Sequence, residues 1–234
     1  MSEQDVNETP SGATTNGDEA EATPAIDTAK SAPADRETAG PFDFSEVPTM
    51  RPYVDLGGIK IAPREGLQMR LEVDERAQRV VAVSLEYAES LLQVQAFSAP
   101  KSSGMWHQIR HDLRAQLEAQ GAKVGEEAGP LGTEVVTATA VPAEQGGGTR
   151  AARFIGVDGP RWILRGILMG KAAVDAATHA QLIELFREIV VVRGDLPMPP
   201  GDLLPLKVPA GVQPGAQNPA GASGSVQQPG VTEA

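Results

Sequence analysis

The sequence contains no cysteine, and its aromatic residues are few and unevenly placed. The absence of cysteine excludes disulfide bonds, thiolate catalysis and zinc sites built from cysteine ligands. No apolar run approaches the length of about eighteen residues that spans a bilayer. The first residues have neither the basic region nor the apolar stretch of a secretory signal. We therefore expect a soluble cytoplasmic protein with no membrane partner.

All nine aromatic residues lie between Phe42 and Phe186. Because aromatic side chains supply much of the surface that a fold buries, their confinement marks the part of the chain that can fold. The composition predicts a disordered acidic tail over residues 1–40 and a single domain over residues 41–207. It also predicts a disordered tail rich in proline, glycine and glutamine over residues 208–234.

Most of the formal net charge of −11 belongs to the N-terminal tail, where nine acidic residues stand against two basic ones. The predicted domain carries a charge of only −3. Phosphate binding needs a clustered excess of lysine and arginine, so this distribution argues against nucleic acid as a partner. The acidity is a property of the tail, which is typical of a solubilising segment or a spacer.

The apolar periodicity predicts an α+β domain. Apolar and polar residues alternate from Leu67 to Val73, which indicates a strand with one buried face. One helix is predicted from about residue 104 to 120 with Ser102 or Ser103 as its N-cap, and another extends from the N-cap Asp175 to about residue 190. Further strands are expected at residues 54–56, 59–61, 80–87, 91–97, 122–126, 134–141, 151–157 and 161–169.

The last predicted hairpin carries bulky apolar groups on both faces. An Asp-Gly turn sets a register in which Ile155 shares a face with Trp162 and Leu164, while Phe154 shares the other face with Ile163. A sheet that is apolar on both sides has to be covered on both. We expect an antiparallel sheet with one helix on each face, a three-layer order of elements similar to the Mog1/PsbP-like fold.

Arginines around a tryptophan form the strongest candidate for a recognition site. Arg153, Arg161 and Arg165 are predicted on the same hairpin as Trp162, and guanidinium groups beside an aromatic ring can bind a carboxylate or a phosphate. In the alternative interpretation, Trp162 packs under a helix while the arginines reach solvent or pair with glutamates. His179 is a further candidate, because it lies within the apolar stripe of the last helix.

His107 and His111 are four residues apart on the first predicted helix, a spacing that lets two imidazoles share a metal ion. Helical periodicity places both opposite the apolar stripe, beside Arg114, which favours a solvated face over a metal site. No motif of high specificity for catalysis or for a cofactor occurs, so we expect no cofactor and no metal.

The segments Arg161-Trp162-Ile163-Leu164-Arg165-Gly166 and Gly170-Lys171-Ala172, with Met105-Trp106 opening a helix, resemble an actinobacterial family described as domain of unknown function 3710. The resemblance covers about Phe42 to Val208. It implies no activity, cofactor or site residues.

Taken together, these features are typical of a non-catalytic bacterial binding or adaptor protein that uses a surface of its sheet. A protein is the expected partner, with a small ligand as the alternative. The competing hypothesis is a hydrolase-type enzyme whose site assembles around His179, or around a metal held by His107 and His111.

Overall fold

The structure of the protein is a computed structural model that describes residues 27–47, 52–141 and 147–208. Of the two predicted disordered tails, residues 1–40 and 208–234, the parts at residues 1–26 and 209–234 lie outside the described residues. No helix among the described residues is long and apolar enough to cross a membrane.

The largest element is an antiparallel sheet of seven strands. In chain order these strands are β4 Gln68–Asp74, β5 Arg79–Tyr87, β6 Ser90–Ser98, β7 Lys123–Gly129, β8 Gly132–Ala140, β9 Thr149–Asp158 and β10 Trp162–Gly170. Their order in space is β4-β5-β6-β10-β9-β8-β7. The predicted α+β class with a large antiparallel sheet is confirmed.

A second sheet of four short strands joins the two ends of the domain. Its strands are β1 Phe42–Asp43, β2 Val54–Asp55, β3 Ile59–Ile61 and β11 Val190–Val191. Their order in space is β1-β11-β3-β2, with β1 parallel to β11. The hairpin of β2 and β3 follows the sequence prediction, whereas the pairing of β1 with β11 was not predicted.

Three α-helices are present in the described part of the chain: α1 Arg36–Ala39, α2 Trp106–Ala119 and α3 Ala176–Arg187. The predicted N-cap of α3 is confirmed, because the carboxylate of Asp175 accepts the backbone N–H of Thr178 at 2.9 Å. Single turns of 3₁₀ helix occupy Phe44–Glu46 and Lys171–Ala173.

The predicted N-cap of α2 is wrong, because neither Ser102 nor Ser103 caps this helix. Met105 holds the N-cap position, and its side chain makes no capping hydrogen bond. The carboxylate of Asp158, at the end of β9, instead accepts the N–H groups of Met105 and Trp106 at 2.9 and 3.3 Å. The helix therefore takes its cap from a strand about fifty residues away in the sequence.

Alternate residues of the β9–β10 hairpin belong to two different hydrophobic clusters. Phe154 and Ile163 pack with Trp106 of α2, whereas Ile155 and Leu164 belong to the larger cluster, which includes residues of α3. The observed pairing places Leu164 opposite Val157 and Ile163 opposite Asp158, so the predicted division of the hairpin into two apolar faces is confirmed. The face that carries Phe154 and Ile163 is named the α2 face.

Residues 27–40, which fall in the predicted acidic tail, contact the domain. The N–H of Asp158 donates to the carbonyl of Ser31 at 2.8 Å, and the N–H of Ser31 donates to the carboxylate of Asp158 at 2.9 Å. Arg36 is buried and binds both carboxylate oxygens of Glu46, at 2.8 and 2.6 Å. The folded part of the chain therefore begins before the predicted boundary at residue 41.

Candidate functional site

Part of the α2 face is only half covered by the rest of the protein. Helix α2 packs against β7, β8 and β9, and along β6 every second residue is half-buried where the others are fully buried. The pairing of β6 with β5 and β10 aligns these half-buried residues across the sheet. The resulting area is named the open sheet surface; it comprises Arg70, Glu72, Gln93, Gln95, Phe97 and Arg165.

Arg165 is the charged centre of the open sheet surface. Its guanidinium carbon lies 5.3 Å from the ring centroid of Phe97, and its Nη2 donates to the side-chain oxygen of Gln95. The Nε atom is buried and has no hydrogen-bond partner among the described residues. No carboxylate of the described residues forms an ion pair with Arg165, and burial lowers the pKa of its guanidinium. Arg165 is therefore a half-buried cation without an anionic partner in the described part of the chain.

The other polar groups of this surface are held in place by hydrogen bonds. The carboxylate of Glu72 accepts from the hydroxyl of Ser84 and from the amide of Gln93. The amide nitrogen of Gln95 donates to the carbonyl of Val81 at 3.2 Å. These side chains form a fixed row of amide and carboxylate groups across the strands, beside the guanidinium of Arg165.

The other two candidates on β10 and its turn lie in different environments. Trp162 is fully buried (0 % exposed), and its Nε1 donates to the carboxylate of Asp43 at 2.8 Å. The guanidinium of Arg36 lies 5.9 Å from its ring centroid. Arg161 is half-exposed, and its Nη2 donates to the carbonyl of Gly194 at 3.1 Å. Trp162 thus packs in the core, which was the alternative interpretation of its sequence context.

Asp43 should make the stability of the protein sensitive to acid. Burial raises the pKa of its carboxyl, but hydrogen bonds from Ser45 and Trp162 and the charge of Arg36 outweigh this, so the pKa lies below its ordinary value of 3.8. A carboxyl with a depressed pKa in the folded state stabilises the protein above its unfolded-state pKa, and this contribution is lost as the pH falls through the folded-state pKa.

We expect the urea midpoint of the wild type to fall more steeply than that of Asp43→Asn between about pH 5 and pH 3. The two proteins are compared by the slope of the urea midpoint against pH. The midpoint itself is not compared, because the substitution also changes the hydrogen bond to Trp162 at every pH. Parallel slopes for the two proteins would contradict the assignment of this acid sensitivity to Asp43.

Arg153 and His179 meet at a buried carboxylate, that of Glu134 on β8. Glu134 is 1 % exposed, and its Oε2 lies 3.3 Å from Nη1 of Arg153 and 3.2 Å from Nε2 of His179. Arg153 also donates from Nε to the carbonyl of Ala173 at 3.0 Å and from Nη1 to the exposed carboxylate of Glu127 at 2.8 Å. These contacts tie β7, β8, β9 and α3 together through charged side chains.

This buried cluster has one unusual atom, the Oε1 of Glu134, which is buried and has no hydrogen-bond partner among the described residues. A carboxylate that holds an imidazole is the orienting half of an acid–base site. A hydrolytic site also needs a nucleophile that bonds to the imidazole. Among the described residues, the hydrogen bond of the His179 ring is the one to the carboxylate of Glu134. The cluster therefore has the geometry of a buried ion network.

His107 and His111 have different neighbours on α2. The Nδ1 of His107 lies 3.3 Å from the guanidinium of Arg110, and its Nε2 lies 3.8 Å from the carboxylate of Asp27. The Nδ1 of His111 lies 3.3 Å from the carboxylate of Asp112. Within residues 27–47, 52–141 and 147–208, no group of three or more histidines and acids is arranged to hold a metal ion.

Comparison with protein families gives a match over most of the chain. A family described as a protein of unknown function, DUF3710, matches residues 40–214. The chain belongs to this family. The predicted resemblance to domain of unknown function 3710 is confirmed. No curated protein and no solved structure matches the chain.

The DUF3710 segment contains both sheets, α2 and α3, and therefore also the open sheet surface and the buried cluster. An open, shallow depression of about 450 Å³ in this domain lies at the β5–β6 turn and is lined by residues that include Gln68, Glu86 and Leu91. None of the predicted site residues lines it. The predicted site residues lie elsewhere: Arg165 on the open sheet surface, Arg153 and His179 at the buried cluster, Trp162 in the core and Arg161 in the turn before β10.

Sequence reasoning missed Glu134, the centre of the buried cluster, and Gln95, the partner of Arg165. Glu134 was placed at the start of a strand, and a glutamate there is usually exposed. One feature of the sequence pointed to an acidic residue near Arg153: an arginine that a fold buries nearly always forms an ion pair with a carboxylate. Several glutamates could have formed that pair, so the sequence did not single out Glu134.

Proposed function

We propose that this DUF3710 protein is a non-catalytic binding domain of the bacterial cytoplasm that takes an acidic segment of a partner protein on the open sheet surface. The observation that carries the proposal is the guanidinium of Arg165, which is half-buried and has no carboxylate partner among the described residues.

A carboxylate fits this guanidinium better than a neutral group does. Arginine presents paired N–H donors in a planar fork, and a carboxylate accepts two of them at once. The Nε–H of Arg165 has no acceptor among the described residues, and Nη2, the other donor of its fork, has two N–H groups, of which Gln95 accepts one. The ring of Phe97 lies under the guanidinium and shields it from water, which strengthens an added ion pair.

A protein segment fits this surface better than a small ligand. Small-ligand sites are concave and bury most of the ligand, whereas the depression beside this surface is open and shallow. Fixed polar groups, including Glu72 and Gln93, extend across neighbouring strands from Arg165. An extended segment can contact several such groups together, with one acidic side chain placed at Arg165.

We also propose that the domain has three layers, with α2 and α3 on opposite faces of the large sheet. This arrangement is similar to the Mog1/PsbP-like fold. The two separate clusters, one around Trp106 and one that includes Phe186, support it. In this arrangement α2 covers only part of its face, and the remainder is the area that we assign to the partner.

The test is titration of the full chain with a blocked oligoglutamate peptide, followed by NMR of backbone amides and of the arginine Nε–H groups. We expect the largest shift changes at Arg165 and at its neighbours on β6 and β10. Arg165→Gln should weaken binding roughly tenfold to a hundredfold, because a charge-assisted hydrogen bond is lost.

Arg150→Gln is the matched control, since Arg150 is an exposed arginine on β9 and its replacement changes the net charge equally. We expect this variant to bind the peptide like the wild type. Equal weakening by both substitutions would show that the peptide responds only to net charge, and the proposal would be wrong.

The hydrolase-type alternative has one supporting observation, the contact between His179 and Glu134. It would also need a nucleophile and an opening to solvent at this contact. The metal-dependent form of the alternative would need His107 and His111 to share further ligands. We favour the binding function because the guanidinium of Arg165 is half-buried on the open sheet surface and has no carboxylate partner among the described residues.

A further inference from the structure

Strand β4 forms one edge of the seven-stranded sheet, and in the described part of the chain it pairs only with β5. An edge strand presents backbone N–H and C=O groups that another strand can bind. The pairing of β4 with β5 has one irregularity, near Glu72 and Val73, where the additional residue is Val81 of β5. Strand β4 itself is continuous over seven residues, so it can accept a neighbour along its whole length.

The charges of β4 are self-complementary. Arg70 lies in the first half of the strand, whereas Glu72 and Asp74 lie in the second half. If two copies of β4 pair antiparallel about Leu71, Arg70 of each copy lies opposite Glu72 of the other, and Gln68 lies opposite Asp74. Opposite charges at directly paired positions stabilise an antiparallel ladder, and like charges destabilise it.

Other symmetric registers are less favourable. The outward backbone groups come from alternate residues, so the centre of a symmetric register lies at a residue of the strand, and shifting it from Leu71 shortens the paired segment. Centring on Arg70 places two guanidinium groups opposite each other, and centring on Glu72 does the same with two carboxylates. Centring on Val73 places Glu72 opposite Asp74, and centring on Met69 avoids like charges but pairs only residues 68–70 of the strand. The register about Leu71 pairs all seven residues of β4 without a like-charge pair.

The opposite face of β4 also supports this register. Met69 and Leu71 are half-buried and pack against the larger hydrophobic cluster, which leaves part of each side chain exposed at the sheet edge. Pairing about Leu71 places two leucines side by side and continues the cluster into the second copy. The geometry points to a two-fold dimer in which the β4 strands of two copies pair antiparallel about Leu71, giving one continuous sheet.

The other edge strand, β7, is a less favourable template. A register about Gly125 places Lys123 opposite Glu127, but Glu127 already contacts Arg153 of its own chain at 2.8 Å. The contact of Arg70 with Glu86 of its own chain is longer, at 3.3 Å, and more exposed. Glycine at position 125 also weakens a strand as a template, because it adds no side chain to the ladder.

The test is sedimentation velocity of the full chain over a wide range of concentrations. We expect a reversible dimer. Gln68→Lys adds a cation opposite Asp74 and should tighten the dimer, whereas Gln68→Glu and Arg70→Glu place carboxylates together and should weaken it. Each substitution acts twice in a symmetric dimer, so the dissociation constant should change by roughly twofold to thirtyfold.

Glu86→Gln is the matched control, because it removes the contact of Arg70 within its own chain, 3.3 Å long, and leaves β4 unchanged. This variant should dimerise at least as tightly as the wild type, because it frees Arg70 for the second copy, and all variants should retain the wild-type circular dichroism spectrum. A chain that stays monomeric at every concentration would overturn the proposal. So would a dimer that responds to neither the Gln68 nor the Arg70 substitutions.

Discussion

Replacing Arg153 with methionine is expected to lower the free energy of unfolding by about 3–5 kcal/mol. The substitution removes the guanidinium that binds the carboxylate of Glu134, which is 1 % exposed. His179 then remains as the described hydrogen-bond partner of that carboxylate. A buried charge without its counter-ion costs much more than the intact pair contributes, so this loss should exceed that of an ordinary surface substitution.

Urea unfolding of the full chain measures this loss, and two further variants separate its causes. Glu127→Gln removes only the exposed partner of Arg153 and should cost less than about 1 kcal/mol. Adding Glu134→Gln to Arg153→Met should recover part of the stability, because the buried group is then neutral. If Arg153→Met costs no more than Glu127→Gln, the buried carboxylate does not depend on the guanidinium.

The second large effect is expected from Asp158→Asn, which should lower the free energy of unfolding by about 3 kcal/mol. Asp158 is 2 % exposed, and both of its carboxylate oxygens accept backbone N–H groups. These donors belong to Met105, Trp106 and Ser31. An asparagine keeps the shape but turns an NH₂ group toward buried N–H donors, so at least one of them loses its acceptor.

Asp175→Asn is the control, because Asp175 also caps a helix N-terminus but uses one oxygen and lies at the surface. Asparagine is as good an N-cap as aspartate, so this variant should unfold near the wild-type midpoint. Amide hydrogen exchange at Met105 and Ser31 should also accelerate in Asp158→Asn. Equal midpoints for the two variants would show that Asp158 contributes no more than an exposed cap.

Local patterns in the sequence were sufficient to locate the strands of the large sheet and their faces. The alternation from Leu67 to Val73 corresponds to β4, and the alternation along β9 places Phe154 and Ile155 in different clusters. Both features follow from the period of two along a strand. The cap at Asp175 was equally local, since donor and acceptor lie three residues apart. The predicted Asp158-Gly159 turn is wrong in position, because Asp158 belongs to β9 and pairs with Ile163.

The features that sequence reasoning missed all depend on contacts between distant residues. The cap of α2 comes from Asp158, and the neutralisation of Glu134 comes from residues of β9 and α3. Strands β1 and β11 have two residues each, too few to show any periodicity. Arg165 was recognised as a candidate from its position beside Trp162, but its lack of an acid depends on which side chains the sheet brings together.

The position of β11 in the small sheet also imposes an order of events during protein synthesis. Strand β11 lies between β1 and β3, so β1 gains its strand neighbour only after Val191 has left the ribosome. Until then, Phe42 and Asp43 are synthesised but cannot complete their sheet, although Asp43 is the partner of the Trp162 ring. The N-terminal end of this domain is therefore synthesised first, but its strand pairs with β11 only after nearly all of the domain has been translated.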